Sequence, residues 1–194
     1  MMKMKEVRDL FKVRGWSARR DEAGDLILIL PLEDRILDII PTLRKTYADK
    51  TYTLMVETFS CMHSVTTEKF NHAITFIDPT DKGGYPIVSS VWEPDAIKMQ
   101  KEEIAAEDII NLIPTLIDWA RATDIEEGLR KYRELPTASF GSRPLLHLAA
   151  LAIHGDVDVL VKYQQSFERG DRLGFVPYIT DQMIDRAVEY AQGI

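Results

Sequence analysis

Cys61 and His63 stand two residues apart in TFSCMHSV, and Cys61 is the one thiol of the chain. On a strand, residues i and i+2 share a face, so the pair could set a thiol beside a base, as a nucleophilic cysteine requires. Such a nucleophile needs a thiolate and two donors aimed at a developing oxyanion, and the flanking residues carry no pattern that supplies them. A structural cysteine and histidine are the expectation. His147 and His154 lie seven positions apart, about 10 Å along a helix, too far to share one metal as ligands at i and i+4 do. His147 interrupts an Ala/Leu surface, and His72 follows a strand-like stretch.

One cysteine excludes an internal disulfide and a cysteine-built zinc site. Ser60, Ser64, Ser89 and Ser90 lie outside any G-x-S-x-G elbow, and Gly141–Ser142–Arg143 lacks the flanking strand and helix. Phosphate-binding loop, dinucleotide fingerprint, HExxH helix and calcium loop are likewise missing. Glu33 and Asp34, or Glu102 and Glu103, are neighbours that point in different directions. No catalytic residue, metal ligand or cofactor site is therefore assigned. An enzyme of unknown reaction class, with a cleft near Cys61/His63 or near His147, stands as an alternative.

The composition is that of an ordered protein, 45% hydrophobic and 28% charged. The 24 basic residues face 31 acids, a formal charge of −7. That balance opposes broad nucleic-acid binding and favours a basic protein partner. Residues 1–20 reverse it, with seven bases against two acids; without a binding motif, this reads as a solvated face. Residues 93–134 are the most acidic broad segment, net −5. No run reaches about 18 apolar residues, and the N-terminus has no signal-type core, so a cytoplasmic protein away from membranes is expected.

The elements that must position these residues follow from periodicity. Lys3–Val13 reads as a short docking helix with Val7, Leu10 and Phe11 inward. Trp16–Arg20 and Asp25–Leu30 make a hairpin around DEAG. Glu33–Tyr47 has Ile36, Ile39, Ile40, Leu43 and Tyr47 at helical intervals, predicting a helix started or kinked at Pro41. Thr51–Phe59, Ala73–Ile77 and Tyr85–Trp92 read as strands. Helices follow through Ile104–Ala120, reset at Pro114, and Ile125–Tyr132. DIIPTL at 38–43 echoes NLIPTL at 111–116, two proline-marked helices on this reading. Pro144–Phe167 forms a packed helical hairpin, with Gly155 ending one helix and Asp156 capping the next. Gly170–Tyr178 breaks the period and offers Leu173, Phe175, Val176 and Tyr178 to the core, and Thr180 caps the last helix.

The fold class is α+β: an N-terminal, mostly antiparallel sheet with packed helices, then a C-terminal helical region. The regions span 1–93 and 94–194 and are expected to form one compact unit.

PLLHLAALAIHGDVDVL resembles the TPLH and second-helix pattern of an ankyrin repeat. It covers one unit with no neighbour at the 33-residue period, so it supports a helical hairpin alone. Leu146–Asp158, GDRLGFVPYIT and MIDRAVEYA, spanning about residues 140–191, resemble bacterial immunity proteins of secreted toxin–immunity systems. That resemblance implies a small cytoplasmic protein that binds and blocks a cognate toxin without catalysis. The functional expectation is a non-catalytic protein-binding module, with Trp119, Asp124, Glu126 and Glu127 as partner-binding residues. A secretion chaperone that wraps an extended effector segment is the other binding alternative.

Overall fold

The computed structural model describes residues 2–21, 23–48, 52–90 and 97–193. Its elements run α1 (Met4–Lys12), β1 (Ser17–Arg20), β2 (Leu26–Pro31), β3 (Ile36–Tyr47), β4 (Met55–Thr66), α2 (Glu68–Ile77), β5 (Val88–Ser89), β6 (Lys98–Lys101), α3 (Ala106–Ile110), α4 (Ile113–Ala122), α5 (Ile125–Arg133), α6 (Arg143–His154), α7 (Val157–Glu168) and α8 (Asp181–Gln192). The fold is α+β. Its sheet runs in the order β1-β2-β3-β4-β5, while β6 pairs with another stretch of β4. The pairings β1–β2, β2–β3, β4–β5 and β4–β6 are antiparallel. No helix among the described residues is long and apolar enough to cross a membrane.

The chain divides into two compact units, Met1–Val65 with Val88–Thr123, and Thr66–Ile87 with Asp124–Ile194. The division expected at residues 93 and 94 lies outside the described residues, as do Val91 and Trp92 of the strand expected there and Thr51 of another. The chain crosses from one unit to the other after Val65, Ile87 and Thr123.

In the first unit the β1–β2 hairpin forms as its turn residues predict, with Gly24 at φ +88°. Residues 36–47, expected as a helix, form strand β3 instead. Leu37, Ile39 and Pro41 are buried at a period of two, and Ile36, Ile39, Ile40, Thr42 and Thr46 favour an extended chain. The β2–β3 register ends at Leu28↔Ile39, two residues before Pro41, so the missing N–H of the proline costs no ladder bond to β2. The echo NLIPTL does start a helix: Pro114 lies in the first turn of α4, where its missing N–H costs no hydrogen bond. At the other end of α4, the Arg35 guanidinium donates to the carbonyls of Ala120 at 2.7 Å and Thr123 at 2.8 Å, covering orphan acceptors with a cation.

In the second unit the strand expected at 73–77 is the end of helix α2. Thr67 accepts the Phe70 N–H at 3.0 Å as N-cap, and Phe70, Ala73, Ile74 and Ile77 are buried at helical spacing. The α6–α7 hairpin forms as expected. Every residue from Pro144 to Ala152 is buried, and α6 packs against α2, α5, α7 and α8. Asp156 does not cap α7 with its side chain, however. Its carboxylate meets His154 Nδ1 at 2.9 Å and Arg133 at 3.7 Å. Phe175 and Ile179 seal the core beyond α7, while Tyr178 stays 44% exposed and donates its hydroxyl to the Gly141 carbonyl at 2.9 Å. Thr180 caps α8 by accepting the Met183 N–H at 3.3 Å.

Gly155 ends α6 at φ +81°, and a Cβ placed there would meet nothing within 4 Å. The cost of Gly155→Ala is therefore the left-handed backbone alone, about 1–2 kcal/mol. Urea unfolding is expected to show that loss with an unchanged m-value.

Candidate functional site: the groove between α1 and α3

Helix α1 begins where the Lys3 N–H donates to the Glu6 carboxylate at 2.6 Å, satisfying one orphan donor of the first turn. Val7 and Phe11 point inward and are fully buried, with Phe11 meeting Trp16 edge-on at 5.0 Å between centroids. At about 100° per residue, the helix then presents Glu6, Asp9, Leu10 and Val13 on an adjacent sector. Leu10 was expected to join the core; it is half-buried, and Val13 is 78% exposed.

The opposite wall is the segment Glu103–Ala106, which leads into α3. It is held from the sheet. The buried Glu57 side chain on β4 accepts the Ile104 N–H at 3.0 Å, and Glu57 itself pairs with Lys101 in the β4–β6 register. Asp108 reaches back to the Ala105 N–H at 2.9 Å and also bonds to Lys101, whose ammonium holds the Asp108 carboxyl below its usual range.

Between these walls lies a groove of about 660 Å³ lined by Met2, Glu6, Asp9, Leu10, Val13 and Glu103 to Ala106. Met2, Leu10, Val13 and Ile104 make it apolar. Glu6, Asp9 and Glu103 supply its charge, and among the described residues no lysine or arginine lines it. Glu6 uses one oxygen on the Lys3 N–H and Asp9 uses one on Arg8, so among the described residues each carboxylate keeps an oxygen for a further donor. The arrangement suits an apolar side chain on the floor and a cation at the rim.

The residues expected to meet a partner lie elsewhere. Trp119 belongs to the first unit, is half-buried, and packs edge-on against His63 at 4.3 Å. The three acids belong to the second unit. Asp124 caps α5 by accepting the Glu127 N–H at 2.9 Å. Glu127 accepts from Arg130 Nε at 2.7 Å and Nη2 at 2.8 Å, and this pairing keeps its carboxyl below the usual range. Glu126 is exposed. A single inward face of Val7, Leu10 and Phe11 conceals the groove in the sequence; the spacing Leu10–Val13, a second apolar edge three residues apart, is the signal that marks it.

The groups considered for catalysis are placed as follows. The Cys61 thiol is buried, and burial pushes its pKa up to about 12, away from a thiolate. His63 shares its face of β4, yet its Nδ1 lies 3.3 Å from the Cys61 carbonyl and not on the sulfur, which makes it a donor to that oxygen. His147 has both ring nitrogens engaged: Nδ1 donates to the Tyr132 carbonyl at 2.9 Å, so neutral Nε2 accepts from the Tyr163 hydroxyl at 3.1 Å. Burial lowers its pKa. Exposed His72 lies 3.3 Å from the Tyr190 hydroxyl, and His154 meets Asp156. Among the described residues no three His, Cys, Asp or Glu side chains are grouped so as to hold a metal.

An α+β protein with a carboxylate-rimmed apolar groove is thus what the fold and site define. The chain belongs to a family of unknown function, DUF6990, whose model matches residues 3–192. No curated protein and no solved structure matches it.

Removing the Glu57 side chain would orphan the buried Ile104 N–H, at a cost of about 1–3 kcal/mol. Glu57→Ala is expected to lose that much in urea unfolding, while Glu57→Gln, which keeps an acceptor, loses less. For His147 the neutral form is favoured in the fold, and the unfolded imidazole titrates near about 6.5. The unfolded state therefore gains the proton first as pH falls. Stability from this site is intact above about pH 6.5 and declines below it, by at most about 1.4 kcal/mol per pH unit. His147→Gln is expected to lower stability at pH 7.5 but to flatten the slope between pH 6.5 and 5.

Proposed function

We propose that this chain is a non-catalytic protein-binding module whose α1–α3 groove takes a cationic, apolar-bearing segment of its partner. The observation that carries this reading is the groove's composition: an apolar floor of Met2, Leu10 and Ile104 beside Glu6, Asp9 and Glu103, with no lysine or arginine among the described lining residues. A partner side chain buried on that floor would supply affinity, and the rim carboxylates would select a lysine or arginine beside it. The formal charge of −7 supports the same choice, because it would speed encounter with a basic protein. The likeness of residues 140–191 to bacterial immunity proteins suggests a secreted toxin as that partner, blocked in the cytoplasm.

Carbodiimide cross-linking in native lysate, followed by mass spectrometry, tests this. Partner lysines are expected to join Glu6, Asp9 or Glu103, and Leu10→Asp is expected to cut the cross-linked yield at least tenfold while the protein stays folded. Cross-links confined to other acids, or a yield unchanged by Leu10→Asp, would overturn the groove assignment.

A further inference from the structure

A second groove lies on the other side of α1, against the β1–β2 hairpin. It measures about 410 Å³ and is lined by Met4, Lys5, Arg8 and Lys12 of α1, Ala18, Arg19 and Arg20 of β1, and Leu26 of β2. Among the described residues five cations and no acid line it, in a chain whose formal charge is −7. Arg8 is partly neutralised by Asp9 at 2.8 Å, and Arg20 donates to the Gly24 carbonyl. Lys5 and Lys12 have no ion-pair partner among the described residues. Lys5–Arg8 and Arg8–Lys12 are like-charge pairs at helical contact spacing, an arrangement that weakens a helix unless an anion offsets it.

The groove also runs beside an open sheet edge. Strand β1 ends the sheet order and pairs with β2 alone among the described residues. An edge strand leaves alternate N–H and C=O groups free to pair with an added strand. The two walls match in length: nine helical residues at 1.5 Å rise and four strand residues at 3.3 Å both give about 13 Å. That is the span of about four extended residues.

We propose that this groove binds an extended acidic peptide segment of a protein, which adds as a strand along β1 while its carboxylates meet Lys5, Lys12 and Arg19. A nucleic acid is the weaker occupant. Only a few phosphates would fit along about 13 Å, and the rest of the chain, net −12 outside residues 1–20, would repel the remainder. The site is separate from the α1–α3 groove, and its test involves none of the residues tested there.

The experiment uses the full chain and a fluorescein-labelled peptide of alternating Glu and Val, read by anisotropy at low salt. Binding is expected at about 10–100 μM, weakened at least fivefold by the double variant Lys5→Gln/Lys12→Gln. A peptide N-methylated at alternate residues in the phase that faces β1 should bind at least fivefold more weakly, since it cannot complete the ladder, while the opposite phase, whose methyl groups point away from β1, should bind about as well as the parent. Amide exchange at Ser17–Arg20 should slow on binding. Circular dichroism confirms that the variant is folded, and Arg19→Gln serves as the second variant if it is not. Failure to bind at 1 mM would overturn the proposal, as would equal affinity of the parent and both N-methylated peptides. Tighter binding of a single-stranded oligonucleotide than of the peptide would overturn it in favour of a nucleic-acid site.

Discussion

A carboxylate buried in strand β4 fixes the first unit's candidate groove. Glu57 is 3% exposed and accepts the Ile104 N–H, a donor with no place in a helix or strand of its own. Without that acceptor the chain entering α3 would bury a polar group unpaired, and such groups are rare because they forfeit their hydration. The contact makes the groove wall an extension of the sheet. The Glu57↔Lys101 pairing and the Lys101–Asp108 ion pair continue the same connection into α3. A wall held this way loses little freedom when a partner binds, which is the condition under which a modest apolar floor can contribute affinity.

Helix α1 shows how nine residues can serve three surfaces. Val7 and Phe11 occupy one sector and are buried. Lys5, Arg8 and Lys12 fall within about 60° of each other on the next sector, and Glu6, Asp9 and Leu10 within about 100° on the third, by the 3.6-residue period. Arg8 and Asp9 meet at the seam between the charged sectors, 2.8 Å apart. The helix thereby keeps opposite charges on separate grooves, and its own core stripe is narrow enough to leave both open.

Local chemistry was legible where a cap, a turn glycine or an unbroken apolar run decided the outcome. Gly24, Gly155, Thr180 and the buried run in α6 are examples, and with them came the α+β class. Two elements misled because their residues satisfy both periods. Residues 36–47 place apolar side chains at i, i+3 and i+4, yet neighbouring strands bury Leu37, Ile39 and Pro41 at a period of two. Residues 73–77 look β-rich in isolation, and the Thr67 cap six residues upstream of Ala73 makes them helical. The same six-residue pattern lies within a strand at 38–43 and runs into the first turn of α4 at 111–116, so tertiary packing decides between them. The groove was hidden for a related reason: it needs Ile104 brought to α1 by Glu57, a contact 47 positions long in sequence that no local pattern records.

The chain's three crossings between its units have a practical consequence for dissection. Each unit is assembled from two separate stretches of sequence, so neither can be isolated by truncating the chain at one point. A nick in the segment 78–87 would leave the second unit with α2 on one fragment and α5 to α8 on the other. Within that unit the fragments would then be held by helix packing, with Phe70 stacked on Tyr132 and Arg186 donating to the Ile77 carbonyl, while the pairing of β4 with β5 and β6 would still join them through the first unit. Expressing either unit alone would require a permuted or linker-joined gene.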